Sequence, residues 1–525
     1  MSRTFAVACA LGLSALLAAG VAQAQPNRCA DLQSLQVAGL TVKITRTETV
    51  PAGPAALNPI APAGPKVMLP AFCHVEGMID ERVGAGGRTY GIGFAIALPE
   101  AWNGRFLFQG GGGLDGILAL PTGYVASGGK PALARGFAVA STDSGHRSTH
   151  GVFDSTFFAD QQAVIDFEYA SIGQVAKLAK QAVTSYYGKP PHHSYFTGCS
   201  MGGRESMVAA QRYPLVFDGV ITGAPAMHVA FSGIGDRFAA ASIVSLAPRG
   251  PDGKPDLSKG LSDSDRKLVV DGLLKACDAQ DGVKDGMIFD IGACKFDPAI
   301  LVCRTRTKTD ACLTKAQAAA IRKAFEGARN SAGRQVYPGF YYDTGIDAKG
   351  FIPGLLNPTE NPMGPPVFAT EINVDGEEAK AGADPVNAVG DTANWTLMST
   401  FFGRGGKQIF FHGVSDPWFS AKDTVEYYQR LAAANGGMTK LRAEDARLFL
   451  VPGMSHCGGG AAALDNFDLL TPLVSWVEDG KAPDTVVATG VAFPGRSRPL
   501  CPWPEHAQYN GTGDAEDSRN FTCRE

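Results

Sequence analysis

Short apolar runs alternate with amphipathic stretches in two separate parts of the chain. In the first part, residues 89–98, 105–109, 136–140, 193–197 and 219–222 read as strands, most of them ending at Gly, Pro or Asp. Residues 161–187 read as a long amphipathic helix, and residues 203–211 as the first turns of another. In the second part, strands at 407–411 and 447–451 alternate with helices near 420–433 and 467–477. This alternation predicts an α/β fold with a mainly parallel, helix-covered sheet. Residues 25 to about 85 read as Pro- and Ala-rich loops between short extended pieces. From about Ala226 to Arg404 the rhythm stops: the sequence is looser, with four cysteines, many Pro and Gly, and an isolated helix around 313–326. The predicted division is a core of residues 25–225 and 405–525, with an inserted domain at 226–404.

One stretch organises the rest. Gly198-Cys199-Ser200-Met201-Gly202 is a G-x-S-x-G pattern between the strand at 193–197 and the helix at 203–211. Strand, Gly-flanked turn and helix are what a nucleophile elbow requires. The strand at 105–109 runs into Gly110-Gly111-Gly112-Gly113, whose N–H groups suit the second half of an oxyanion hole. Asp416 and His456 each lie just past the end of a predicted strand, the edge where open α/β sheets build their sites. Their order with Ser200, Ser–Asp–His, is that of α/β-hydrolases. A hydroxyl, an imidazole to carry its proton and a carboxylate to orient the imidazole form a complete acyl-transfer set. The N–H of Met201 and one from Gly111 or Gly112 are the expected oxyanion donors.

Composition narrows the setting. The chain has 525 residues, 45% hydrophobic and 19% charged, enough for a large core. A net charge of −4 gives no electrostatic case for nucleic acid or an anionic membrane. Arg3, the apolar run from Phe5 to Val21, and Ala22-Gln23-Ala24 fit a signal peptide over residues 1–24. No second segment reads as a membrane anchor, so the expected location is secreted or periplasmic. Export leaves ten of the 11 cysteines, an even number without C-x-x-C, which favours five disulfides. Cys199 precedes the serine and Cys457 follows the histidine, so a Ser200–His456 contact would bring the two thiols within bonding reach.

Cys199-Ser200, Asp416 and His456-Cys457 resemble the CS–D–HC arrangement of the tannase and feruloyl esterase family. The resemblance extends to the Gly-rich loop, residues 141–146, Gly223-Ala224-Pro225, and the endings around Cys501 and Cys523. It implies an α/β-hydrolase core with a large inserted lid domain. It also implies the pairings Cys199–Cys457, Cys29–Cys73, Cys277–Cys294, Cys303–Cys312 and Cys501–Cys523. In residues 278–287, three aspartates in a Gly-punctuated loop leave calcium and a solvated acidic turn both open. The resemblance implies a structural Ca²⁺ held by Asp278, Asp281, Asp285 and the carbonyls of Val283 and Met287. It further implies Phe419 against the substrate ring. Phe401, Phe402 and Arg404 are weaker pocket candidates. The expected function is a serine esterase for esters of small aromatic acids, feruloyl or galloyl first. A mono(2-hydroxyethyl) terephthalate hydrolase is the alternative. A catalytically silent binding protein is the rival of another class.

Overall fold

The computed structural model describes Met1 and residues 28–58, 63–350, 352–357 and 369–525. The signal-peptide expectation lies outside the described residues. Nine strands form one sheet: β1 (Val42–Val50), β2 (Phe72–Val83), β3 (Thr89–Pro99), β4 (Arg105–Gln109), β5 (Ala138–Thr142), β6 (His193–Cys199), β7 (Gly219–Gly223), β8 (Lys407–Gly413) and β9 (Ala446–Val451). Their order is β1-β2-β3-β5-β4-β6-β7-β8-β9. From β5 to β9 every pairing is parallel. From β1 to β5 every pairing is antiparallel.

The antiparallel part corrects the sequence reading. Residues 42–50 and 72–83 are long strands, not short pieces between loops; Gly53–Ala56 and Lys66–Leu69 pair as a small hairpin between them. The reason is position. β1 is an edge strand whose exposed positions include Lys43, Arg46 and Glu48, so it lacks the continuous apolar run that marks the inner strands.

The helices that matter are α1 (Ser171–Tyr187), α2 (Met201–Arg212), α3 (Val229–Val244), α4 (Asp263–Cys277), α5 (Lys315–Glu326), α6 (Val374–Ala383), α7 (Ala421–Ala434) and α8 (Leu470–Asp479). The expected single helix over 161–187 is interrupted by one π-helical stretch, Asp166–Ala170. That stretch turns Glu168 inward to meet Arg204. Side-chain alternation splits the core in two. Phe106, Phe108, Phe196, Val220 and Phe410 face α1, α2 and α7. Leu107, Tyr195, Ile221, Ile409 and Phe449 face α8 with its Leu473 and Trp476.

The segment between β7 and β8 packs a third apolar cluster around Val269, Leu273, Ile321 and Phe325. α5 is therefore not isolated: α3, α4 and α6 accompany it. Cys277–Cys294 and Cys303–Cys312 staple this insert. Cys29–Cys73, Cys199–Cys457 and Cys501–Cys523 complete five disulfides, each in the implied pairing. No helix among the described residues is long and apolar enough to cross a membrane.

Candidate active site

Ser200 is the single residue between β6 and α2, held at φ 66°, ψ −123°. Such a conformation costs of order 1–3 kcal/mol and persists only where the surroundings enforce it. Here they do. Ser200 N–H donates to Gly223 O (3.1 Å), and its own carbonyl accepts the N–H groups of Arg204 (3.0 Å) and Ala226 (3.1 Å). A Cβ on Gly198 would come within 2.2 Å of Gly202 O, and one on Gly202 within 2.6 Å of Gly111 O, so the elbow closes only with glycine at both places. Asp115, Ser144, Ala224 and Cys457 also have positive φ, so most of the strained non-glycine residues in the described chain gather around this turn.

Asp416 follows β8 and His456 follows β9. His456 Nδ1 lies 2.6 Å from Asp416 Oδ2, and both side chains are buried. Asp416 Oδ1 accepts the N–H groups of Trp418 (2.9 Å) and Phe419 (3.1 Å). Burial works to raise the Asp416 carboxyl. The His456 charge and the hydrogen bonds from His412 and His456 outweigh it and hold the group well below the usual carboxylate range.

His412, which the sequence reading did not single out, stands on β8 with Nε2 3.3 Å from Asp416 Oδ2 and 3.0 Å from Phe419 O. Its Nδ1 pairs with Thr424 Oγ1 (2.8 Å). Its signal was a histidine four residues before the acid, where the predicted strand at 407–411 ends. Ser200 and His456 form no mutual hydrogen bond, yet the Cys199–Cys457 bridge sets the neighbouring Cα atoms 5.9 Å apart. His456 Nε2 lies 3.6 Å from Cys457 Sγ. Catalytic hydrogen bonds commonly tighten only with substrate bound.

The Gly-rich loop lies against α2, and a buried carboxylate pair sets its shape. Gly111 N–H donates to Glu205 Oε2 (2.9 Å), which removes Gly111 from the expected oxyanion donors. Gly112 borders open space. Met201 opens α2, where first-turn N–H groups have no helical partner. Ser144 Oγ contacts both Glu205 Oε1 (2.8 Å) and Asp115 Oδ2, although it has one proton to give. Burial, with the Glu205 charge, raises the Asp115 carboxyl well above its ordinary range.

Aromatic rings flank the histidine. The Trp418 centroid is 4.8 Å and the Phe419 centroid 5.2 Å from the His456 ring. Phe419 packs against the apolar cluster that includes Met201 and Ala226. Phe401 and Phe402 belong instead to the core beneath α7. Arg404 is engaged elsewhere, donating to Phe217 O (2.8 Å) and pairing with Asp218 Oδ1 (2.8 Å). The insert also reaches the triad loops. Asp343 Oδ2 accepts Ser415 Oγ (2.7 Å), next to the acid, and Gly453 N–H (2.7 Å), three residues before the histidine.

The aspartate loop follows α4 in the insert. Burial raises Asp281 to about 7, with the Asp285 and Asp278 charges adding to the shift. Burial, with Asp285, also raises Asp278. Among the described residues the carbonyls of Val283 and Met287 accept no hydrogen bond. Carboxylates beside two unused carbonyls are hard-oxygen donors of the kind Ca²⁺ takes, and here Asp278 Oδ1, both Asp281 oxygens and Asp285 Oδ1 accept N–H groups of the loop itself. Asp285 is partly spoken for, since Arg498 pairs with its Oδ2 and Arg496 donates to its carbonyl (2.7 Å). The three carboxylates are not drawn to within 4.8 Å of one another. Among the described residues that spacing occurs in His192, His193 and Glu478, where Arg105 holds both glutamate oxygens.

Comparison with known proteins gives a consistent picture. Residues 73–524 match the family model described as tannase and feruloyl esterase. The chain is 37% identical over 524 residues to mono(2-hydroxyethyl) terephthalate hydrolase of Piscinibacter sakaiensis, covering 87% of this chain and 85% of that one. It is 28% identical to feruloyl esterase B of Aspergillus niger, covering 81% and 82%. The crystal structure of feruloyl esterase B from Aspergillus oryzae superposes with a TM-score of 0.74 at 25% identity, covering 95% of this chain and 99% of that one.

Proposed function

The chain belongs to the tannase and feruloyl esterase family, and from that premise we propose a serine esterase that hydrolyses esters of small aromatic acids through an acyl-enzyme. The observation that carries this reading is the 2.6 Å Asp416–His456 pair, tied by a disulfide to a serine on a strained elbow.

Ser200 Oγ attacks the ester carbonyl while His456 Nε2 takes its proton. Asp416, already ionised and fixed by two backbone N–H groups, orients the ring and stabilises the imidazolium. The N–H groups of Met201 and Gly112 receive the negative charge that develops on the carbonyl oxygen. Collapse expels the alcohol with the proton from His456, and water then repeats the sequence on the acyl-enzyme. Trp418 and Phe419 beside the histidine favour a flat, aromatic acyl group. Feruloyl or galloyl esters are the first reading. A terephthalate monoester is the second, favoured by the identity to the relative named for it.

The insert, residues 226–404, serves as a lid that supplies α3 as one wall of the cleft. Asp278, Asp281, Asp285 and the carbonyls of Val283 and Met287 would hold a structural Ca²⁺, joining the insert to the C-terminal segment near Arg498. Five disulfides support export to an oxidising compartment.

The test is the initial hydrolysis rate of methyl ferulate, methyl gallate and mono(2-hydroxyethyl) terephthalate, beside a Ser200→Ala variant. Turnover of at least one ester that vanishes in the variant is expected. No Ser200-dependent turnover, and no fluorophosphonate labelling of Ser200, would leave a binding protein on an esterase fold.

A further inference from the structure

His412 is a buried side chain that the acyl-enzyme reaction does not use. It stands on β8 opposite Leu450 of β9, and its ring is fully shielded from solvent. The next residue fixes the strand end. A Cβ on Gly413 would lie 2.3 Å from Ser455 O, directly before His456. The strand that carries His412 is thereby locked against the turn that carries the catalytic histidine.

His412 Nε2 lies 3.0 Å from Phe419 O and 3.3 Å from Asp416 Oδ2. Both oxygens can only accept, since the Asp416 carboxyl is ionised. Nε2 therefore carries a proton, an assignment that follows from the hydrogen-bond network. Nδ1 pairs with Thr424 Oγ1 (2.8 Å) on α7, a hydroxyl that can give or accept, so a neutral ring and an imidazolium are both accommodated. The other donors to the Asp416 carboxylate are the N–H groups of Trp418 and Phe419 on Oδ1 and His456 Nδ1 on Oδ2. His412 thus brings a second imidazole N–H to the oxygen that holds His456. It also closes the turn: the Phe419 carbonyl faces His412 while the Phe419 N–H is bound to Oδ1.

Resting on the esterase reading above, we propose that His412 is a positioning residue of the triad, whose Nε2–H shares the Asp416 carboxylate with His456 and holds the 416–419 turn in place. No proton passes to or from His412 in the cycle. Replacing its N–H leaves Oδ2 wholly to His456, which favours the imidazolium and moves the acid limb of activity to higher pH. A charged His412 ring would act in the same direction, by repulsion. The other ionisable groups around this carboxylate are Asp236 and Tyr337 of the insert, Asp343 bonded to Ser415, and Asp423, which pairs with His228 at 2.8 Å. Among the described residues none of these is hydrogen-bonded to the His412 ring, so they stay as they are when it is replaced.

The experiment follows kcat/KM for 4-nitrophenyl acetate against pH in wild type, His412→Phe and His412→Gln, a profile that reports the free enzyme's base. His412→Phe keeps the ring's bulk and loses the donor. Its plateau should fall about tenfold, the effect of one hydrogen bond to a charged group, and its acid limb should move up by about half a unit to one unit. His412→Gln returns an N–H near the Nε2 position and should restore the limb and most of the plateau. A role in packing alone would lower the plateau without moving the limb. An unmoved limb in His412→Phe would therefore overturn the assignment, and so would a His412→Gln that behaves like His412→Phe. Should His412→Phe fail to fold, Thr424→Val decides: it frees Nδ1, weakens the ring as a donor, and should move the limb the same way with a plateau about threefold lower. An unchanged profile there would overturn the assignment equally. No Ser200-dependent turnover in wild type would instead overturn the reading on which this one rests.

Discussion

Removing the bridge between Cys199 and Cys457 is the most quantitative test of how this site is held. The cross-link spans 258 residues. In the chain-entropy account, a loop of that length lowers the unfolded chain's entropy by about 19 cal/mol/K, or about 5.6 kcal/mol at 25 °C. Two smaller bridges lie inside the loop and shorten it by at most 17 and 9 residues. Because the dependence is logarithmic, that correction is only about 0.1 kcal/mol. Cys303–Cys312, with a separation of 9, provides the contrast, at about 2.6 kcal/mol on the same expression. Each pair would be replaced by serines together, so that no free thiol remains, and unfolding followed in urea with a check of reversibility. The Cys199→Ser, Cys457→Ser double variant should lose about 3 kcal/mol more than the Cys303→Ser, Cys312→Ser variant. Its kcat should also fall at nearly constant KM, because nucleophile and base are no longer fixed to each other. Equal losses from the two pairs, or a loss under about 1 kcal/mol from the long loop, would refute the reasoning.

Two further outcomes follow from the site. The Asp416 carboxyl is held below its ordinary value near 3.9, so its contribution to stability is complete above that pH and is lost as pH falls below it. Asp416→Asn should therefore flatten the acid limb of stability between about pH 4 and pH 2, and lower kcat by about 10⁴ through loss of the correct tautomer; a parallel acid limb in both proteins would contradict this. Chelating calcium should lower the melting temperature of wild type while kcat at 25 °C stays within about twofold, and Asp281→Asn should remove that calcium dependence; a melting curve indifferent to chelator would make the loop a solvated acidic turn.

The parallel half of the sheet was legible because its strands are continuous apolar runs, each ending at a chemically distinctive turn. The antiparallel half was not. β1 alternates charged and apolar residues at an exposed edge, and the Pro-rich hairpin after it masks the pattern. Ser200, Asp416 and His456 could be named from local motifs and chain order, and the fold brings their loops to one edge. The residues that support them could not. Asp343 meets Ser415 across 72 positions, and Glu205 meets Gly111 across 94, with no local spacing to announce either contact. Gly111 looked like an oxyanion donor for the same reason: its commitment to Glu205 is a tertiary fact. The disulfide pairings, too, were implied by family resemblance and not by spacing, since ten cysteines at irregular intervals admit many connectivities.

Asp343 also bears on how such enzymes can be rebuilt. Its carboxylate joins a residue beside the acid to the turn before the histidine, and it belongs to the insert and not to the sheet. Exchanging inserts between relatives to alter substrate choice therefore exchanges a structural tie of the triad as well. A chimera that carries a new cleft wall but loses this aspartate would bind as designed and turn over poorly. The useful crossover points are those that leave residues 343–345 with the recipient.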